Sequence, residues 1–214
     1  SSLEEDLIKA FKHVKYYFPE DTLPTEVNTF ITGMALSAFT YEELLGISLD
    51  RFMGEDYKYY FPRAIPNYMA KRMRREYLTP QAVKTYFTQK YPQEKFTDGT
   101  LLADMIYLGK QLEFVRMMLP NVHDTLIIEY TQKQLKWCEK NEPNVFTHFV
   151  NNKLFYETDH QKTFRYITDG PYTVAPDVPA ESAPRIGEWI GWQIVKNYQK
   201  NAASNPTEIF HLKD

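Results

Sequence analysis

The residues with chemistry to offer are five histidines (His13, His123, His148, His160 and His211), one cysteine (Cys138) and a few neighbouring carboxylates. A zinc site needs His, Cys or carboxylate ligands at fixed helical or loop spacing. None of the histidines lies in a His-Glu-x-x-His arrangement. His148 with Glu142 and His160 comes nearest to a cluster, but its spacing matches no common zinc pattern. There is no phosphate loop, dinucleotide fingerprint or Gly-x-Ser-x-Gly elbow. Cys138 cannot form an internal disulfide, and within Leu135-Lys136-Trp137-Cys138 it reads as a small buried apolar residue rather than a reactive thiol. Glu42-Glu43, Glu55-Asp56 and Glu142 against Asp159 are paired carboxylates of the kind that more often form solvated faces or helix caps than acid–base sites. The basic run Lys71-Arg72-Met73-Arg74-Arg75, flanked by Glu76, reads as a solvated helix face.

Composition narrows the class further. With 214 residues, 43% hydrophobic and 25% charged, the chain suits one folded domain with a substantial core and no divisive linker. The 16 Tyr and 14 Phe favour a core with many half-buried rings. Net charge is −3 with acids and bases interspersed, so no basic face invites nucleic acid. No apolar run reaches transmembrane length and no signal peptide is present.

The elements that must position these residues follow from periodicity. Leu3, Leu7, Phe11, Val14 and Phe18 recur at three- and four-residue steps, predicting an amphipathic helix that ends before Pro19. Strands are expected at Val27–Thr32 and Leu45–Asp50, and Tyr57 to Pro66 forms an irregular aromatic loop. Thr79-Pro80 reads as an N-cap followed by proline at the first helical position. Thr97-Asp98-Gly99 precedes the strongest helix, with Leu101, Leu102, Met105, Leu108, Leu112, Val115 and Leu119 on one stripe, stopped by Pro120. Thr131-Gln132-Lys133-Gln134 is a capping box, and Asn141-Glu142-Pro143 is expected to open a separate helix. Residues 169–184, with four prolines, form an irregular crossing. Asn205-Pro206-Thr207-Glu208 caps a short last helix.

Pro184-Arg185-Ile186-Gly187-Glu188-Trp189-Ile190-Gly191-Trp192 is the most distinctive stretch. Gly187 and Gly191 lie four apart and so share one helical face. Each costs roughly 1 kcal/mol of helix stability relative to Ala, which predicts a close helix contact that outweighs the loss. The expectation is internal packing, with docking of a partner as the alternative use of this helix and of Trp189 and Trp192.

Five blocks in order carry a resemblance: Gly46 to Gly54, Ile65 to Met69, Leu102 to Lys110, Trp137 to Glu142 and Pro184 to Tyr198. Together they resemble the gliding-motility lipoprotein B (GldB-like) family of Bacteroidetes, over about residues 27–200. The resemblance implies one GldB-like domain over 1–214: a mostly helical, zincin-like α+β fold with a small N-terminal β-sheet, distantly similar to zinc-dependent peptidases. In active relatives one helix carries His-Glu-x-x-His and a later helix a Glu-Gly pair. Here Gly109 resembles that glycine, Leu108 stands at the acid, and Gln81 to Lys90, the best match to the metal helix, holds no histidine. The implied protein has no metal, cofactor or catalytic residue. It is a non-catalytic cell-envelope lipoprotein domain facing the periplasm, exported and lipid-anchored by a segment outside this chain. Its expected partner is an envelope protein or peptide, an extended one lying beside Leu45–Asp50. Asp50, Arg51, Tyr57, Tyr59 and Tyr60 are expected to line one wall of a binding groove, and Tyr107 and Lys110 another. Two alternatives stand beside this reading. The tyrosines would only cover the edge of the sheet, or the chain would be a metal-dependent or carboxylate-based peptidase or hydrolase with a non-standard site using Asp50 and Glu142.

Overall fold

The computed structural model of the chain describes residues 2–61, 65–202 and 204–213. Part of the expected aromatic loop, 62–64, lies outside the described residues. The chain folds into two units: Ser1–Lys90 with Phe114–Glu129, and Tyr91–Glu113 with Tyr130–Asp214.

The first unit is α+β. Helix α1 (Leu3–Tyr17) starts with a complete capping box between Ser2 and Glu5 and buries Leu7, Ala10 and Val14. Three strands follow: β1 (Glu26–Phe30), β2 (Ala38–Tyr41) and β3 (Leu44–Ser48), ordered β1-β3-β2. β3 is central, parallel to β1 and antiparallel to β2. Leu45 and Ile47 point into a core with Leu7, Phe52, Tyr77, Leu78 and Ala82. On the opposite face Gly46 lies under the Phe39 ring, which would overlap any Cβ there. The expected second strand ends at Ser48, and Asp50 and Arg51 belong to a 3₁₀ turn, Leu49–Arg51. A single-turn helix α2 (Asn67–Ala70) and a second 3₁₀ turn, Arg75–Tyr77, lead into α3 (Leu78–Lys90). Thr79 and Pro80 therefore sit inside the first turn of α3 instead of capping it. Phe114, from the last turns of α4 (Leu101–Met118), packs its ring against Phe18 and Phe87. α5 (Asp124–Ile128) closes the unit with Glu129 in the left-handed region at φ 62°.

The second unit is helical. The backbone N–H groups of Leu101 and Leu102, which begin α4 without intrahelical partners, donate to the carbonyls of Glu157 and Phe155. α6 (Gln132–Asn151) has the expected Thr131–Gln134 capping box, but it runs straight through Pro143. Proline there removes a bond to the Glu139 carbonyl, and Glu139 is exposed, so water can serve that carbonyl. Leu135, Cys138, Val145 and Phe149 keep one buried stripe along the whole helix. A short α7 (His160–Thr163) and a 3₁₀ turn, Phe164–Tyr166, follow, and 169–184 is an irregular crossing as expected. Thr173 ties that crossing to α8 (Ile186–Asn201), its hydroxyl donating to the Ala183 carbonyl and accepting from the Ile186 N–H. Arg185 precedes α8 at φ 51°, a conformation that costs a non-glycine residue roughly 1–2 kcal/mol. The buried Tyr130 hydroxyl offsets that cost, reaching the carbonyls of both Pro184 and Arg185, and its ring lies under the Arg185 guanidinium. The expected last helix is a 3₁₀ turn, Glu208–Phe210.

Candidate functional site

One end of the sheet in the first unit gathers three loops around Asp50. Its side chain accepts from the Thr32 N–H (3.2 Å) and the Ser48 hydroxyl (2.6 Å) on one oxygen, and from the Met34 N–H (2.8 Å) on the other. Arg51 donates to the Met34 carbonyl at 2.9 Å. The Tyr60 hydroxyl donates to the Asp50 carbonyl at 3.0 Å and accepts from the Met53 N–H at 3.1 Å. Burial pushes the Asp50 carboxyl up, but the hydrogen bonds from Ser48, Thr32 and Met34 together outweigh it and leave the group below the ordinary carboxylate value. Asp50 is thus an ionised clamp with both oxygens engaged. This is the geometry of a loop organiser.

The tyrosines divide. Tyr60 is buried and, with Ala70 and Met73, forms a satellite core against which Tyr57 packs. Tyr59 is half exposed, edge-on to Tyr57, with the Lys58 ammonium 4.9 Å above its ring. Tyr107 and Lys110 belong to the second unit and are interior residues there. The Tyr107 hydroxyl donates to the Tyr91 carbonyl at 2.7 Å, and the Lys110 ammonium to the Leu212 carbonyl at 2.8 Å. At 3% and 1% exposure neither presents its polar atom to an open groove.

What this end of the sheet does present is an edge. β3 is paired on both sides, so no extended peptide can lie beside Leu45–Ser48 as the sequence suggested. β1 is exposed at all five positions, and among the described residues no strand pairs with its outer side. Val27 and Phe30 along it and Ile31 just past its end are exposed apolar residues, Ile31 at 84%. Such an edge is a template for another chain. The Asp50 clamp fixes the loop, Thr32 to Met34, into which β1 leads. Sequence reasoning missed this edge because it found the second strand, extended two residues too far to Asp50, without seeing β2 on its other side.

α3, the helix that the resemblance matched to a metal-binding one, carries a polar cluster of its own. The Glu129 carboxylate accepts from Lys84 at 2.9 Å, from Arg72 at 3.2 Å and from Gln81. The basic run 71–75 is consequently no solvated helix face: Arg72 is committed to Glu129, Met73 is buried, and Arg74 pairs with Glu76. Among the described residues no three His, Cys, Asp or Glu side chains are grouped to hold a metal ion. His148 instead meets the Tyr166 hydroxyl at 3.0 Å. Cys138 is buried, and burial pushes its thiol up to about 12, with a hydrogen bond from Tyr130 acting the other way.

The glycine stripe packs internally. A Cβ on Gly191 would overlap the Met105 carbonyl, and one on Gly109 would overlap the backbone of Gly191 and Trp192. A Cβ on Gly187 would stand 2.9 Å from the Tyr166 carbonyl. Gly109 and Gly191 are thus the two halves of one backbone crossing between α4 and α8. Trp192, fully buried beside it, donates from its indole N–H to Glu113 at 2.9 Å, and Trp189 meets Trp192 edge-on.

No described helix is long and apolar enough to cross a membrane. No curated protein and no solved structure matches the chain. The family model described as gliding motility protein GldB matches residues 1–214, the whole of the chain. The chain belongs to that family of gliding-motility lipoproteins.

Proposed function

We propose that this chain is a non-catalytic, periplasm-facing domain that binds an extended segment of an envelope protein or peptide along the free edge of β1. The observation that carries this reading is a five-residue edge strand, exposed throughout, beside a loop clamped by a buried ionised Asp50. Main-chain hydrogen bonds along such an edge supply affinity, and exposed side chains such as Val27 and Phe30 supply selectivity. A loop held before the partner arrives reduces the entropy lost on binding. Support for the non-catalytic part comes from α3, where Gln81 and Lys84 are tied to Glu129 and an ammonium occupies the polar cluster. A zincin-like ancestry and a lipid anchor outside the chain complete the proposal.

Two measurements test it. Val27→Lys, a charge that blunts a sheet edge, should leave thermal stability unchanged and abolish complementation of a strain lacking the gene. Full complementation by this variant would contradict binding at β1. Elemental analysis of the purified protein should find no stoichiometric zinc. About one zinc per chain, removable by chelator with loss of stability, would overturn the non-catalytic reading.

A further inference from the structure

The first unit also contains a cavity of about 560 Å³ between α1, the Arg75–Tyr77 turn with the start of α3, and the segment that follows α4. Neither the β1 edge nor the Asp50 clamp touches it. Its volume lies within the ~300–1,000 Å³ of small-molecule sites. Its apolar lining is Leu3, Pro80, Met118, Leu119, Val122 and Leu126, of which Pro80, Met118 and Leu119 are buried and so make its floor. Burial of apolar surface is therefore what a ligand gains there, and a wholly polar ion would gain little.

Charge is confined to the rim. One face of α1 supplies Asp6, Lys9 and His13 at three- and four-residue steps, with Lys12 beside them. Arg75 and Glu76 stand on another side. Lys9 and Lys12 outnumber Asp6 on α1, and the Glu76 carboxylate is paired with Arg74 at 3.2 Å. The imidazole of His13 is held in place, Nδ1 lying 2.8 Å from the Met118 carbonyl. A carbonyl only accepts, so Nδ1 carries the proton and Nε2 is the ring's remaining polar atom. The site thus combines an apolar floor with an excess of cations at its mouth and a fixed imidazole.

We infer that this cavity binds a single-chain amphiphile with an anionic head, the apolar body resting on Leu119, Val122 and Leu126 and the head lying beside Lys9 and Lys12. The floor selects against a bare anion, and the rim selects against a cationic amphiphile of the same length. This site is independent of the β1 edge, so either can fail without the other.

The test is calorimetric titration of the purified protein with dodecanoate below its micelle-forming concentration. Acetate is the head without the chain, and dodecyltrimethylammonium is the chain with the opposite charge. One dodecanoate per chain is expected, with no binding of either control. Lys9→Glu with Lys12→Glu changes two exposed side chains, so it should melt like the parent. It should weaken dodecanoate by about tenfold or more, since two exposed ion pairs are lost. Val122→Trp, filling the cavity, should abolish binding. Vesicles of phosphatidylglycerol in phosphatidylcholine separate a free amphiphile from a membrane surface. Cosedimentation with vesicles while dodecanoate leaves the protein unchanged would overturn the inference. Equal affinity for the ammonium, an unchanged affinity of the Lys9→Glu/Lys12→Glu variant, or no saturable binding would do the same.

Discussion

Alanine at Gly191 sets two effects against each other, and the structure decides the sign. In an exposed helix, Gly→Ala stabilises by roughly 1 kcal/mol. Here the added Cβ would fall on the Met105 carbonyl, and backbone cannot rotate away as a flexible side chain would. The helices must part, and overpacking of this kind costs roughly 1–3 kcal/mol. Parting them also stretches the buried bond from Trp192 to Glu113, a charge-assisted contact worth roughly 1.5–3 kcal/mol. Allowing ~1 kcal/mol for the propensity gain, the net loss is about 3 kcal/mol, or a fall of about 6–12 °C in melting temperature. Gly109→Ala should cost a similar amount because it opens the same crossing from the other side. The double variant is the sharper experiment. Once α4 and α8 have parted, the second methyl meets little resistance, so the pair should cost less than the sum by about 1 kcal/mol. Gly187→Ala should be milder, since side chains of Ile167 and Met105 supply two of its three nearest atoms. Chemical denaturation followed by circular dichroism reads all four variants. Stabilisation by either single alanine, or strict additivity in the double, would refute the close crossing.

Asp50→Ala should destabilise the first unit by roughly 2–4 kcal/mol, because it strands the Thr32 and Met34 N–H groups. The folded carboxyl titrates below its unfolded value, so its contribution is present above the ordinary carboxylate range and is lost as pH falls through the folded value. Acid titration of Asp50→Asn should lack that component, and an unchanged acid profile would count against the clamp. Cys138 should resist a water-soluble disulfide reagent in the native protein and react fully in denaturant, as expected of a buried thiol pushed up to about 12. Rapid native labelling would contradict the packing of α6.

The helices that carry their own start signals were legible in the sequence. The Thr131 box fixes its helix locally, and the crossing at 169–184 follows from its prolines. α4 was placed, but not as one apolar stripe, since Tyr107, Lys110, Glu113 and Phe114 on its other faces are buried as well. The Gly187–Gly191 stripe announced a close contact, but Gly109, which completes the crossing, lies far away in the chain and had a family-based explanation instead. β2 was missed because four residues, Ala-Phe-Thr-Tyr, form a strand only when β3 is beside them and Gly46 makes room for the Phe39 ring. α6 was split at Pro143 because the local signal for a helix start was strong. The buried stripe on either side of it overrides that signal. Asp50 was singled out, yet its backbone donors come from a loop earlier in the chain, so its role as a clamp is a product of the fold. The cavity could not be anticipated, since its walls come from α1, the start of α3 and the segments beyond α4.

The claim that β1 receives a partner is tested most directly by site-specific photo-crosslinking in the native envelope. A photoreactive phenylalanine analogue replaces Phe30 on the strand, and in a second strain Tyr16, whose side chain on α1 is 78% exposed. One discrete adduct is expected from position 30, lost when Val27→Lys is added, and none from position 16. Equal adducts from both positions, or none from position 30 in cells where the protein is functional, would contradict it.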